Sequence, residues 1–507
     1  MSFTQNPSRR LFLKQTAALS TLGAAAPLAM NLAAMGSASA AGANDYKAIV
    51  CVYLLGGNDA YNTVLPTDAE SWANYTAVRN QSPDSIALLK DVAANAAQTR
   101  GSPAWLGGVL PITPSNAQGR SFALHPLLTG LRDQFNSKQL AILANIGSLV
   151  EPLSKDDYNR NLKSTPSPLF SHNDQSSHWM AMAAEGARRG WGGKIADLIA
   201  ADNQNAAFTA ISASGNSVWL YGDQVKQYHL STSGAIRFGF RPDARGVNLL
   251  MNSPAAAELI KKVASEPTSK NLLMRDLAEV QASSIKAEAL ISQHLPSAEQ
   301  TPFGPSSSYL NYDSIIAGSK QNNVLAQQLQ SVARMIKAAP ALGLKRQIFF
   351  VSLGGFDTHD QQNLQHAERM AQLNHALSYF QRVLGDLGVA PQVTTFTASD
   401  FGRAFTSNGD GTDHGWGSHQ FVMGGAVKGG DIYGAFPRLG AKNTKDNGFD
   451  SSPDQLYNGA LLPKQSVGQL STTLANWLKP GSAAQLAAAF PGIKNFSGAL
   501  DLGFMTS

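Results

Sequence analysis

Most of the chemistry this chain can offer is concentrated in three short segments: Gly354-Gly355-Phe356-Asp357-Thr358-His359-Asp360, Ser399-Asp400-Phe401-Gly402-Arg403 and Asp413-His414-Gly415-Trp416-Gly417-Ser418-His419. Carboxylates and imidazoles crowd there in a chain that holds only 10 histidines. Such oxygen and nitrogen donors bind hard and borderline cations. Asp59, after Gly56-Gly57-Asn58, joins Asp357 and Asp400 in falling just past an apolar run that reads as a buried strand. Three strands would then deliver three carboxylates to one sheet edge, where their mutual repulsion in a desolvated cleft calls for a divalent cation. Asp357 and His359, two residues apart, project to the same side of an extended segment. The glycine-rich stretch 409–417 can swing His414 over the edge, and His419 follows it. An aspartate after a strand is also an ordinary turn or helix-cap residue, and His419 reads equally as a packed histidine.

The elements that must position these residues are legible as apolar runs. Tyr46 to Leu55, Gln139 to Ile146, Gln347 to Leu353 and Gln392 to Thr397 read as buried parallel strands, with a fifth at Gln420 to Met423. Leu364, Ala367, Met370, Leu373, Leu377, Phe380 and Leu384 keep a helical period that stops at Gly385 and Gly388. On its polar face, His366 and His375 read as solvated. A helix opens at Ser171 or Asn173 and runs through Trp179. Residues 190 to 250 read as irregular strands or hairpins, and Ala255 to Leu295 and Asn323 to Ala339 as helices. The succession predicts an α/β chain with a doubly wound, mostly parallel sheet, helices on both faces and an inserted helical or irregular cover at about 200–340. Ligands of such sheets bind at the carboxyl ends of the strands.

The ends and composition bound the setting. Ser8-Arg9-Arg10-Leu11-Phe12-Leu13-Lys14, an Ala-rich run and Ser37-Ala38-Ser39-Ala40 read as a twin-arginine signal over residues 1–40, handled by the twin-arginine export machinery. The expected mature chain, a single domain over 45–507, is periplasmic or secreted. Removing the signal lowers Lys+Arg from 40 to 37 against 35 Asp+Glu, so nucleic-acid binding has no electrostatic footing. No other stretch approaches the roughly 20 apolar residues of a membrane span, so no anchor is expected in the mature chain. The single cysteine, Cys51, reads as a core residue and excludes an internal disulfide. No phosphate-binding glycine motif is present.

Taken as an ordered set, Gly56-Gly57-Asn58-Asp59 with Asn62, Ser171-His172 with Gln175 and Trp179, Gly190-Trp191-Gly192, Gly355 to His359, Ser399 to Arg403 and Asp413-His414-Gly415 carry a resemblance. The chain resembles the exported bacterial proteins grouped as domain of unknown function 1501, which is similar to the alkaline phosphatase and sulfatase superfamily. The resemblance implies an alkaline phosphatase-like fold and a two-cation hydrolytic site for a small anionic ester. Ser171 would be the nucleophile, with His172 and Arg403 in the catalytic set and Arg403 clamping a substrate oxygen. Asp357, His359 and His414 would hold one divalent ion of unspecified identity, and Asp59, Asp400 and Ser171 would approach the other. Asn62, Asp413 and His419 would lie behind these ligands.

Two departures stand out. Superfamily members carry an Asp-His pair where this chain has Asp400-Phe401, and their acid-to-histidine spacing at the third strand is longer. The functional expectation is an exported, metal-dependent hydrolase of phosphate or sulfate esters. The alternative is a non-catalytic binding or cell-envelope protein that keeps the hydrolase fold.

Overall fold

The computed structural model describes residues 45–506 apart from 82, 233, 236–240, 243–247, 250–252, 267–268 and 497–499. The signal expected at residues 1–40 lies outside them. In chain order the elements that matter here are β1 Lys47–Leu54, α1 Ala69–Arg79, β2 Leu140–Gly147, α2 His172–Ala181, α3 Trp191–Ile199, β3 Ala210–Ser212, β4 Tyr228–Ser231, β5 Gly234–Ala235, α4 Pro254–Ser265 and α5 Leu272–His294. They continue with α6 Val324–Ala338, β6 Arg346–Leu353, α7 Gln362–Asp386, β7 Val393–Ser399, β8 Arg403–Ser407, β9 Thr412–His414, β10 Ser418–Met423, β11 Ile432–Tyr433, β12 Gln465–Ser466 and α8 Val467–Leu478.

A central sheet runs β11-β2-β10-β7-β1-β6-β3-β4-β5, with β12 beside β2. Its middle, from β7 through β1, β6 and β3 to β4, is parallel. β1, at the centre, is buried on both faces along Ala48–Leu54, which explains its unbroken apolar sequence. Cys51 is buried there, with Ile49 and Tyr53, in a core that also takes Trp179, Trp191, Trp219 and Leu470. The fifth expected strand forms as β10, but it runs antiparallel to both β7 and β2. The fold is thus mixed α/β, with a mostly parallel central sheet.

Register explains why distant residues converge. Leu54 of β1 pairs with Leu353 of β6 and with Ser399 of β7, so the three carboxyl ends finish level. Asp400 follows immediately, Asp357 after the three residues Gly354 to Phe356, and Asp59 after the glycine turn.

Elsewhere the sequence reading is corrected in two places. Trp191–Ile199 is a helix rather than part of an irregular strand region, with Trp191 buried against Trp219. α6 packs on α7 and β6, whereas α4 and α5 pack on each other and α5 reaches the sheet at its last strand, β5.

Candidate metal centre

Asp357 is the hub of the site. Its Oδ1 lies 3.0 Å from His359 Nε2 and 3.4 Å from His414 Nε2, and its Oδ2 lies 3.4 Å from His172 Nε2. His359 Nε2 and His414 Nε2 are 3.0 Å apart. All three imidazoles therefore present the same nitrogen to one carboxylate.

The other nitrogens of His172 and His414 are anchored outward. His172 Nδ1 bonds Asp400 Oδ2 at 2.9 Å, and His414 Nδ1 donates to the Phe170 carbonyl at 2.8 Å. His359 Nδ1 faces Asp413 Oδ1 at 3.6 Å, and Asn408 Nδ2 at 3.5 Å. In His172 and His414 an acceptor at Nδ1 fixes the tautomer that leaves a lone pair on Nε2, the arrangement found behind metal-ligating histidines. Donors bound at about 2.0–2.1 Å in a tetrahedron stand about 3.3–3.4 Å apart, so spacings of this size fit one ion. His172, Asp357 and His414 also offer ligand atoms within 4.8 Å of one another. His172 Nε2 is buried and has no hydrogen-bond partner.

Electrostatics favour positive charge here. The hydrogen bond His172 donates to Asp400, with the charges of Asp400 and Asp357, raises the His172 pKa against the opposing effect of burial. Burial works against the Asp357 carboxylate, but the Arg403 hydrogen bond and charge and the neighbouring imidazoles hold its pKa below the ordinary value. Burial lowers the pKa of His414, keeping that ring neutral and able to act as a ligand.

Local structure explains the placement. Gly56, at φ 115°, donates its N–H to Asp400 Oδ2 at 3.0 Å and gives its carbonyl to Arg403 at 2.9 Å. A Cβ there would meet the Asp357 nitrogen at 2.4 Å, so only glycine lets the β1 loop lie against the β6 loop. Phe401 packs its ring 4.8 Å from His172 and 4.7 Å from His414, filling the position where the resemblance expects a histidine.

Several expected site residues lie elsewhere. Asp59 is fully buried and its carboxylate is taken by Arg79, at 2.5 and 3.0 Å, and by Gln362 Nε2 at 2.6 Å. Both oxygens are spent, so Asp59 caps and braces rather than facing the cluster. Asn62 belongs to the same network, accepting from Arg79 and from the Tyr75 hydroxyl. His419 is buried beside Phe436, and its Nδ1 accepts from Asn145 N–H at 3.0 Å. Arg403 is fully buried: it donates to Asp357, Gly56 and Thr412 and has no open face for a substrate oxygen. His366 is also buried, on Asn58 Oδ1, not solvated. Ser171 stands at the N-cap of α2 without capping it, and its hydroxyl donates to Asp174 Oδ2 at 2.7 Å.

The sequence reading did not single out Phe170, Arg79, Gln362 or Thr412. Gln362 Oε1 accepts from Thr412 Oγ1 at 2.6 Å while its amide nitrogen donates to Asp59, which links the Asp59–Arg79 pair to Arg403 and so to Asp357.

A mixed α/β protein with a His–Asp cluster at the carboxyl edge of its sheet is the class that fold and site define. Residues 46–461 match the family described as "Protein of unknown function (DUF1501)", and the chain belongs to that family. No curated protein matches it. Among solved structures it is similar to one described as "Crystal structure of Ps i-CgsB in complex with k-i-k-neocarrahexaose", at 9% identity and TM-score 0.30, covering 89% of this chain and 76% of that one. Another, from work on glycosaminoglycan metabolism by Bacteroides thetaiotaomicron, shares 10% identity at TM-score 0.31, covering 86% of this chain and 73% of that one. Likeness at this level carries no argument about activity. Among the described residues no helix is long and apolar enough to cross a membrane.

Proposed function

We propose that the chain binds one divalent transition-metal ion through the Nε2 atoms of His172, His359 and His414 and the carboxylate of Asp357, and uses it to hydrolyse a phosphate or sulfate ester. The observation that carries this is the common orientation of the three imidazoles, each with Nε2 toward Asp357, and of His172 and His414 with Nδ1 on an acceptor. Three imidazoles and one carboxylate suit zinc or a similar borderline ion better than calcium or magnesium. When bound, such an ion supplies a Lewis acid that polarises an ester oxygen and favours a nearby hydroxyl as its anion.

The chain's own residues supply the rest. Asp400 orients His172, Asp413 stands behind His359, and Arg403 fixes Asp357. Ser171 is the proposed nucleophile: Asp174, already accepting its proton at 2.7 Å, is placed to receive it as the bond to phosphorus or sulfur forms and the ester alcohol leaves, and water then displaces the acid from Ser171, whose oxygen takes its proton back. Export by the twin-arginine route is proposed on the motifs at residues 8–14 and 37–40.

The second reading, a non-catalytic protein of the cell envelope, draws on one observation: Asp59 is consumed by Arg79, so the second ion implied by the resemblance lacks a ligand. Metal analysis combined with a screen of aryl phosphate and aryl sulfate esters, with and without added divalent ions, separates the two. Turnover that requires the ion and is lost in Ser171→Ala supports the hydrolase, and one bound ion with no turnover supports the second reading.

A further inference from the structure

Beside the cluster lies a cavity of about 500 Å³ whose floor is His359 and His414. Its walls include Tyr158, Phe170, Tyr457 and Asn458. Tyr457 is 66% exposed and Phe170 39% exposed, so two large rings stand in solvent at its rim. Phe170 and Asn458 both hold positive φ, 65° and 56°. Such backbone is uncommon for a bulky side chain and gathers at ligand sites. The same strained residue gives its carbonyl to His414 Nδ1, so ring placement and imidazole orientation are set together. No lysine or arginine lines the cavity among the described residues, and Asp413, about half exposed, lines it with a negative charge. The buried Arg403 is already spent on Asp357.

We infer that this cavity receives the ring-bearing alcohol part of the ester, and that the site favours an ester with one negative charge over one with two. The inference rests on the hydrolase reading above. Aromatic walls offer a flat apolar face to a ring. With no lysine or arginine lining the cavity among the described residues, a second substrate charge finds no counter-charge there and meets Asp413. The reaction is the addition of water across the ester: the bond from sulfur or phosphorus to the ring oxygen breaks, the ring alcohol leaves with a proton, and the acid retains the oxygen supplied by water.

The test uses the metal-loaded full chain with 4-nitrophenyl sulfate and bis(4-nitrophenyl) phosphate, each with one charge, against 4-nitrophenyl phosphate, with two. kcat/KM for the first two should exceed that for the third by about tenfold or more. Tyr457→Ala should raise KM for the aryl esters about tenfold with metal content unchanged, and Tyr457→Lys should narrow the gap toward the dianion. Preference for the dianion, or an unchanged KM in Tyr457→Ala, overturns the inference. If a protein that holds its ion turns over none of the three, the hydrolase reading fails, and calorimetric binding of 4-nitrophenyl sulfate decides this one: binding weakened by Tyr457→Ala sustains it, and no binding overturns it.

Discussion

Arg403 donates to Asp357 Oδ1 at 2.9 Å while itself fully buried, and the carboxylate it holds is the one on which three imidazoles converge. The guanidinium is the joint between the buried frame and the candidate centre. Arg403→Met would leave the carbonyls of Gly56 and Thr412 without a donor and free Asp357 to turn. The expected result is a loss of about 1–3 kcal/mol in stability from those unpaired acceptors together with weaker metal binding, read by urea unfolding and by chelator competition. A stable variant with wild-type affinity would contradict it.

Asp400 acts through His172. Asp400→Asn keeps the shape but removes the charge that fixes the imidazole, and metal affinity should fall about 10- to 100-fold. The fold should persist by circular dichroism. Unchanged affinity would mean that His172 needs no such anchor.

The Asp59–Arg79 pair should matter for folding and not for stoichiometry. Asp59→Asn leaves a buried guanidinium without its counter-charge, which costs about 3–5 kcal/mol, yet the ion count per chain should match the parent. A variant that keeps its stability and loses its ion would return Asp59 to the ligand set.

Buried histidines set the acid limit. Burial pushes the pKa of His366 down to about 4 and that of His419 to about 3, from an ordinary 6.5. Folded, both stay neutral, while the unfolded chain binds a proton at each below pH 6.5. Their contribution is therefore complete above that pH and is lost on acidification, by roughly 1.4 kcal/mol per pH unit for each residue. The urea midpoint should fall steadily from about pH 6.5 toward pH 4, less steeply in His419→Gln. A flat profile over that window would contradict the assignment.

Much of the frame could be read from the chain alone. β1, β2, β6 and β7 stand where unbroken apolar runs predict them, and α7 follows its period from Leu364 to Leu384. The direction of β10 could not, because an apolar run does not say which way it pairs. Asp357, His359 and His414 meet, as their strand-end and loop positions suggest, and His172 joins them from the first turn of α2. The fate of Asp59 depended on Arg79, 20 residues away on α1, and a lone arginine carries no mark of the carboxylate it will meet. His366 looked solvated because the helix pattern does not reveal that Asn58 closes over it. Phe401 looked like a missing ligand, and its ring turns out to brace two imidazoles.

The central claim is that one ion sits among His172, Asp357, His359 and His414. X-ray absorption on purified protein with a measured metal content tests it most directly. The account requires one divalent transition-metal ion per chain, with a first shell dominated by imidazole nitrogen at about 2.0–2.1 Å, and loss of that ion in folded Asp357→Ala. A metal-free wild type, two ions per chain, or an ion retained by Asp357→Ala would contradict it.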